Sequence, residues 1–297
     1  MPMFVFADMD QPTLHVGDNW TYDLSMFQLG LEFTGEMITE MEGQTSSHGH
    51  TVYILSLDGS GTVESAEGSG SFEMWGHEHM RTSDLADVEL NMSLRIDLTV
   101  GESEITTWVY TEQVYDPPNN RWDFPIAVGD EWISISEVTE TFTMRSLQFD
   151  ETTEDTYTTQ MNYTCESIET LNVPAGSFSS YKIKEEMEEG YGYWYVSPDV
   201  GLIVKMESYN ETEELIMTYE LKSYSYTPGN GNGGNGDGGT DEGIVGLLMD
   251  NILWIIIIIV IVVVIAVAGV AMSRRGRLPP EEEVPEDIDE SEQPPPE

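Results

Sequence analysis

The sequence predicts an all-β, antiparallel protein with one membrane-spanning helix near its C-terminus. Residues 20–26, 92–100 and 215–221 alternate between apolar and polar side chains. A period of two with one apolar face is typical of an antiparallel sheet that packs on one side only. Turn signals such as Asp58-Gly59 separate runs of this kind, and no long amphipathic helical pattern occurs before the membrane segment.

The membrane segment is residues 252–272, a run of 21 residues without a charge. At about 1.5 Å per residue, a helix of this length spans about 31 Å, the thickness of a bilayer's hydrocarbon core. Arg274, Arg275 and Arg277 follow the run directly, whereas acidic residues precede it. Because basic residues favour the cytoplasmic side, we predict a single-pass cell-membrane protein with an extracellular N-terminal region and a cytoplasmic tail.

The charge balance is strongly acidic. The 297 residues include 55 acidic and 11 basic side chains, which gives a formal net charge of −44. A surface of this kind repels phosphate and excludes general nucleic-acid binding. Cys165 is the single cysteine, so the chain has no internal disulfide and no cysteine-based metal cluster. Folding of the region before the anchor therefore depends on burying an apolar core.

Two parts of the predicted β region carry similar motifs in the same order. Val16-Gly17-Asp18-Asn19-Trp20 recurs as Val128-Gly129-Asp130-Glu131-Trp132. Further along, the turn segment 82–86 aligns with the segment 197–201. Recurrence in the same order indicates a tandem repeat, with a proline-containing boundary near residue 117.

Composition predicts the remaining boundaries. A short apolar stretch before Ala7 is interpreted as the remnant of a signal peptide that starts upstream; alternatively, residues 3–6 form the first strand. A segment rich in glycine and asparagine favours a flexible linker, and a segment rich in acidic residues and prolines favours a disordered tail. The predicted organisation is an N-terminal segment (1–13), a first β repeat (14–116), a linker (117–123), a second β repeat (124–226), a flexible linker (227–243), a transmembrane segment (244–272, core 252–272) and an acidic cytoplasmic tail (273–297).

The second repeat contains two distinctive motifs. Val173-Pro174-Ala175-Gly176-Ser177-Phe178 is followed by Tyr193-Trp194-Tyr195-Val196-Ser197-Pro198-Asp199-Val200-Gly201. These motifs resemble those of bacterial and archaeal envelope proteins that are distantly similar to LolA-type lipoprotein carriers. The Val-Gly-Asp-x-Trp openings are similar to those of tandem archaeal surface proteins. The resemblance covers most of residues 14–226, although the first repeat lacks both motifs. It implies curved, half-barrel-like sheets and an apolar pocket in the second repeat, lined by tyrosine and methionine.

Four of the five histidines lie in two pairs, His48-Gly49-His50 and His77-Glu78-His79. On a strand, residues i and i+2 share a face, so each pair offers two imidazoles to one Zn²⁺ or Cu²⁺ ion. The sequence therefore makes His48, His50, His77 and His79 candidate metal ligands. The favoured alternative is that all four are solvated surface residues.

Four Asn-x-Ser/Thr sequons precede the flexible linker. A sequon is the acceptor for N-glycosylation and indicates an exposed position in a secreted region. The candidate glycosylated residues are Asn19, Asn91, Asn162 and Asn210.

Sequence motifs for catalysis are missing. The chain has no Gly-x-Ser-x-Gly elbow, no His-Glu-x-x-His helix and no phosphate-binding loop, and we predict neither enzymatic activity nor a cofactor. The sequence favours a non-catalytic, membrane-anchored surface protein that binds a lipid, another apolar small molecule or envelope proteins. Alternatives are a metal-binding or enzymatic ectodomain centred on the histidine pairs, and a purely structural or adhesive surface protein.

Overall fold

The computed structural model describes residues 8–228, except 29, 67, 147–149 and 188–189. In this part of the chain, twelve strands form one closed barrel in which each strand is antiparallel to both neighbours. Consecutive strands lie side by side, and the last strand closes the barrel by pairing with the first. The strands are β1 (Asn19–Gln28), β2 (Leu31–Ser47), β3 (His50–Ser65), β4 (Gly68–Arg81), β5 (Asp87–Val100), β6 (Ser103–Asn119), β7 (Glu131–Arg145), β8 (Asp150–Val173), β9 (Gly176–Met187), β10 (Gly190–Ser197), β11 (Leu202–Asn210) and β12 (Leu215–Ser225).

The alternating pattern places one face of each strand inside the barrel. On β1, the side chains of Trp20, Tyr22, Leu24 and Met26 are buried, whereas the residues between them are more exposed. One hydrophobic cluster with members from all twelve strands lies in the interior. Complete burial of a large apolar side chain contributes about 1.5–3 kcal/mol, so this shared core stabilises the whole barrel.

The all-β antiparallel prediction is confirmed, whereas the prediction of two half-barrel sheets is not. The strands from both halves of the sequence form one barrel, with seams between β6 and β7 and between β12 and β1. Strand β6 also continues into the segment 117–123 that was interpreted as a linker, because Asn119 pairs with Asp87 of β5.

The two Val-Gly-Asp-x-Trp segments form turns of the same geometry. Each glycine has a positive φ, +91° at Gly17 and +98° at Gly129, a conformation that residues with a Cβ rarely adopt. In each turn the aspartate carboxylate accepts a hydrogen bond from the backbone N–H three residues earlier, at 2.8 Å for Asp18 and 2.7 Å for Asp130. The tryptophan that follows each turn is buried.

The second pair of turns also matches, but one residue away from the alignment in the sequence. Leu85 follows β4 and Gly201 follows β10, and both have a φ of +67°. Both donate a backbone hydrogen bond to the carbonyl four residues earlier, at 2.9 Å and 3.1 Å respectively. Leu85 is therefore structurally equivalent to Gly201 and not to Val200.

Across the described residues, no helix is both long enough and apolar enough to span a membrane. The predicted membrane segment and tail, most of the flexible linker and residues 1–7 lie outside the described part of the chain.

Candidate functional site

The four candidate histidines lie around the β2–β3 turn and the neighbouring part of β4. His48 is in the turn, His50 begins β3, and His77 and His79 point outward from β4. His79 pairs in register with Ile54. Since His50 is four residues away from Ile54 along β3, its backbone lies about 13 Å from this pairing position.

One histidine of each pair reaches the same carboxylate. His48 Nε2 lies 3.4 Å and His79 Nδ1 lies 3.1 Å from Oε2 of Glu89 on β5. His77 instead lies 3.5 Å from Glu42. Within the described ranges, no group of three or more His, Cys, Asp or Glu residues is arranged to hold a metal ion. The structure therefore brings His48 and His79 to one carboxylate, whereas His77 contacts a different one.

A polar cluster lies inside the barrel, where the segment between β6 and β7 inserts Arg121 and Trp122. The guanidinium of Arg121 lies over the ring of Trp194, 4.6 Å from its centroid. Trp194 Nε1 donates a 2.8 Å hydrogen bond to Oε2 of Glu185. Oε1 of the same carboxylate has no hydrogen-bond partner among the described residues.

Glu78 and Tyr219 belong to the same interior cluster. Burial raises the pKa of Tyr219 well above its ordinary value, and the charges of Glu78, Arg121 and Glu185 also act on it. Glu78 and Glu185 are at most 1% exposed. The cluster thus places two buried carboxylates in the barrel interior together with Arg121 of the β6–β7 segment.

The outer wall carries a cluster of exposed aromatic side chains on β4 and β6. Trp75, Trp108 and Tyr110 are 38%, 42% and 37% exposed. The rings of Trp75 and Trp108 meet edge to face, with centroids 5.9 Å apart, and Arg95 of β5 lies over the Trp108 ring at 5.1 Å. We call Trp75, Trp108 and Tyr110 the outer-wall patch.

Strand register brings polar residues beside this patch. Tyr110 pairs with Ser93 on one side and with Thr143 of β7 on the other, and Trp108 pairs with Arg145. Together with Trp108 and Tyr110, these residues line an open pocket of about 420 Å³. The lining includes neither Trp75 nor Arg95, and the pocket extends from Ser93 of β5 across β6 to Thr143 and Arg145 of β7.

The sequence reasoning missed both the patch and the interior cluster. Glu78 lies an even number of residues after Phe72 and Met74, which face the interior of the barrel. The alternation along β4 could therefore have predicted that Glu78 is buried. On β6 the sequence does not show which side chains face the interior. Ile105 and Val109 lie on one face of the strand and Trp108 and Tyr110 on the other, and both faces carry large apolar side chains.

The candidate glycosylation sites are all partly exposed. Their side chains lie on or beside the outer wall, and glycosylation of them remains a prediction. They are Asn19 at the start of β1, Asn91 on β5, Asn162 on β8 and Asn210 at the end of β11.

Comparison with known proteins gives a partial match. The family model described as DUF3108-like matches residues 130–221, which form most of the second half of the barrel. No curated protein matches the sequence.

Two solved structures are similar over the barrel. A Bacteroides fragilis protein, provisionally described as an exported protein with a YmcC-like fold, is 17% identical, with a TM-score of 0.35. A Parabacteroides distasonis protein, provisionally described as a lipoprotein, is 13% identical, with a TM-score of 0.28. Each match covers 74% of this chain and 100% of the other. The family match therefore identifies the second half of the barrel as similar to DUF3108-like domains.

Proposed function

We propose that this protein is a non-catalytic, membrane-anchored cell-surface protein whose barrel binds a ligand or an envelope partner through the outer-wall patch. The observation that carries the proposal is the pocket of about 420 Å³ beside Trp108 and Tyr110. Exposed aromatic side chains that are grouped on one surface commonly mark an interaction site. The volume lies in the range of roughly 300–1,000 Å³ that is typical of small-ligand pockets.

A ligand inside the barrel is less well supported. Met206, Met217 and Tyr219 are the kind of residues expected to line an apolar pocket in the second half of the chain. Each is about 1% exposed and belongs to the shared hydrophobic core. A lipid in their place would have to displace side chains that are packed at the density of a protein interior. The outer wall is therefore the better candidate.

The anchor and its orientation are part of the same proposal. Residues 252–272 span the membrane, and the arginines that follow them lie in the cytoplasm. The barrel is then held outside the cell by the flexible linker 227–243. Protease added to intact cells is expected to remove the residues before Gly243 and to spare the acidic tail.

We also propose that the barrel consists of two six-stranded copies, β1–β6 and β7–β12. The matching turn geometry at Gly17 and Gly129, and at Leu85 and Gly201, supports this relation. The outer-wall patch lies on strands of the first copy, which the DUF3108-like match does not include. Because Thr143 and Arg145 of β7 also line the pocket, the proposed binding surface lies at the β6–β7 seam between the two copies.

The proposal is tested by retention on envelopes. Detergent-solubilised full-length protein is mixed with isolated envelopes of the source cells, and the bound fraction is measured after sedimentation. The Trp108→Ala/Tyr110→Ala variant is expected to lose at least tenfold in apparent affinity. Phe27→Ala is the matched control, because Phe27 is 56% exposed and lies on β1, away from the patch. Equal retention of the patch variant and the wild type would contradict the proposed function.

A further inference from the structure

We propose that the outer-wall patch binds a neutral glycan, with pyranose rings packed against Trp108 and Tyr110. The inference rests on the proposed function, because it names the ligand class of the same surface.

The aromatic rings form a preorganised platform. Trp108 and Tyr110 are two residues apart on β6, so both point outward from the same face. Trp75 and Arg95 contact Trp108 from the β4 and β5 side, and neither of them lines the pocket. The ring of Trp108 is therefore supported before a ligand arrives, which lowers the entropy cost of binding. The flat, C–H-rich face of a pyranose ring suits contact with such aromatic surfaces.

Short hydroxyl side chains surround the platform. Ser93 and Thr143 lie in register on either side of Tyr110. Their small size leaves the volume of the pocket open, and their hydroxyl groups can both donate and accept hydrogen bonds. The Thr143 hydroxyl already shares a 3.0 Å hydrogen bond with Thr152. A polyol can satisfy Ser93 and the remaining hydrogen-bonding capacity of Thr143, whereas an alkyl chain would remove these groups from water without doing so.

The charges at the rim disfavour an anionic ligand. Arg145 pairs with Asp150 at 3.1 Å, and Arg95 pairs with Asp97 at 2.7 Å. Each guanidinium is thus held beside a carboxylate, which gives fixed donors and acceptors but no excess of positive charge. In a chain with a net charge of −44, an anionic ligand would be repelled from this surface. A neutral sugar chain avoids that repulsion and uses both kinds of hydrogen-bonding group.

Binding is measured by calorimetry and by tryptophan fluorescence on the full-length protein. The protein is produced in a host without N-glycosylation, so that no sugar on the Asn91 sequon competes for the patch. The probes are neutral gluco-, manno- and galacto-oligosaccharides of three to six units, and the neutral polysaccharide fraction of the source envelope. At least one probe is expected to bind, with an affinity that changes less than twofold between 0.1 and 1 M salt.

The variants separate ring packing from other effects. Trp108→Ala and Tyr110→Ala are expected to weaken binding at least tenfold. Tyr110→Phe keeps the ring, and Phe27→Ala lies on another wall of the barrel, so both are expected to bind within twofold of the wild type. Binding by none of the probes, or equal binding by Trp108→Ala, would overturn the glycan proposal.

Other occupants give distinct results. A proline-rich peptide that binds the patch while the sugars do not, or a dimer that Trp108→Ala dissociates in ultracentrifugation, would also overturn it. If envelope retention depends on the patch but no neutral glycan competes, the ligand class is wrong and the proposed function stands. If retention does not depend on the patch, the proposed function fails as well.

Discussion

At the residue scale, Arg121 is a cation that the barrel has removed completely from water. Its guanidinium lies over Trp194, and the buried carboxylates of Glu78 and Glu185 act in the same cluster. A buried charge is tolerated only when opposite charges and hydrogen bonds offset its desolvation. The backbone carbonyl of Arg121 also accepts a 3.1 Å hydrogen bond from Trp132 Nε1, which ties the β6–β7 segment to β7.

We expect Arg121→Met to lower the free energy of unfolding by roughly 3–5 kcal/mol, because two carboxylates would remain buried without their cation. Urea denaturation of the variant and the wild type measures this difference. Arg145→Met is the control, since its salt bridge is exposed and is worth less than about 1 kcal/mol. Adding Glu185→Gln to Arg121→Met should restore part of the loss. An Arg121→Met variant as stable as the wild type would contradict this account of the cluster.

The contacts of the Glu89 carboxylate predict that the stability of the protein depends on pH. Partial burial raises its pKa, but the hydrogen bonds from Ser47 and His79 and the charges of His79 and His48 outweigh this effect, so the pKa is lowered from 4.5. A carboxylate with a lowered pKa in the folded state stabilises the protein above its unfolded pKa, and this stabilisation is lost as the pH falls through the folded value. The wild type should therefore exceed Glu89→Gln in stability at pH 7.

Measurement of both proteins from pH 7 to pH 3 tests the sign. The difference between their free energies of unfolding should shrink below pH 4.5 and approach zero at the acid end. Because the remaining carboxylates are common to both proteins, their effect cancels in the difference. A difference that stays constant or grows toward acid pH would show that Glu89 is not stabilised by these contacts.

At the element scale, β2 and β3 approach each other closely at two glycines. Gly35 pairs with Gly61, and a Cβ on Gly61 would lie 2.1 Å from the backbone oxygen of Thr34 and 2.6 Å from the Cα of Gly35. Real Cβ atoms do not approach backbone so closely. The two strands must therefore separate if either glycine acquires a side chain.

We expect Gly61→Ala to destabilise the protein by about 1–3 kcal/mol, as overpacking commonly does. Gly43→Ala, on β2, is the matched control, because nothing lies within 4 Å of its added Cβ. Removing a glycine there should be neutral or stabilise by up to about 1 kcal/mol through the unfolded state. Thermal and urea unfolding of the two variants should thus move in different directions, and equal effects would contradict the close approach.

Strand β8 pairs with its two neighbours over different parts of its length. Its first part, from Asp150 to Met161, pairs with β7, while its registered pairing with β9 begins at Asn162. The first nine residues of β8 do not alternate in burial: all nine are exposed, and most of them are acidic residues or threonines. Charged residues on an exposed strand edge oppose pairing with another chain.

At the scale of the whole molecule, the two halves of the sequence share one interior. Trp20 Nε1 donates a 2.8 Å hydrogen bond to the carbonyl of Val200, and the hydroxyl of Tyr22 donates one of 3.1 Å to Ile203. The ring of Trp122 meets that of Trp194 edge to face. Buried hydrogen bonds and ring contacts therefore join the first half of the chain to the second half.

We expect the described barrel to unfold in one cooperative transition. Tryptophan fluorescence and far-UV circular dichroism, followed through a urea titration, should give coincident curves with one midpoint. The physical reason is that separating the halves would expose the strand edges at both seams and divide the core. Two resolved transitions, or a first half that folds alone, would instead indicate independent modules.

The strand alternation made the fold class and the inward-facing residues of several strands predictable, including those from Trp20 to Met26 on β1. A side-chain period of two depends only on local backbone geometry, so it can be read directly from neighbouring residues. The similarity of the Gly17 and Gly129 turns was predictable for the same reason, since a short motif specifies a local conformation.

Only the tertiary structure decided which strands meet. The pairing of β1 with β12 joins residues about two hundred positions apart, such as Trp20 and Tyr224, and no local pattern specifies that register. The same holds for the outer-wall patch and the pocket beside it, which together assemble side chains of β4, β5, β6 and β7 through three interfaces between strands. Periodicity predicts which residues share a face of a strand. The residues that lie beside them on neighbouring strands are decided by barrel closure, because closure depends on the stagger and tilt of all twelve strands together.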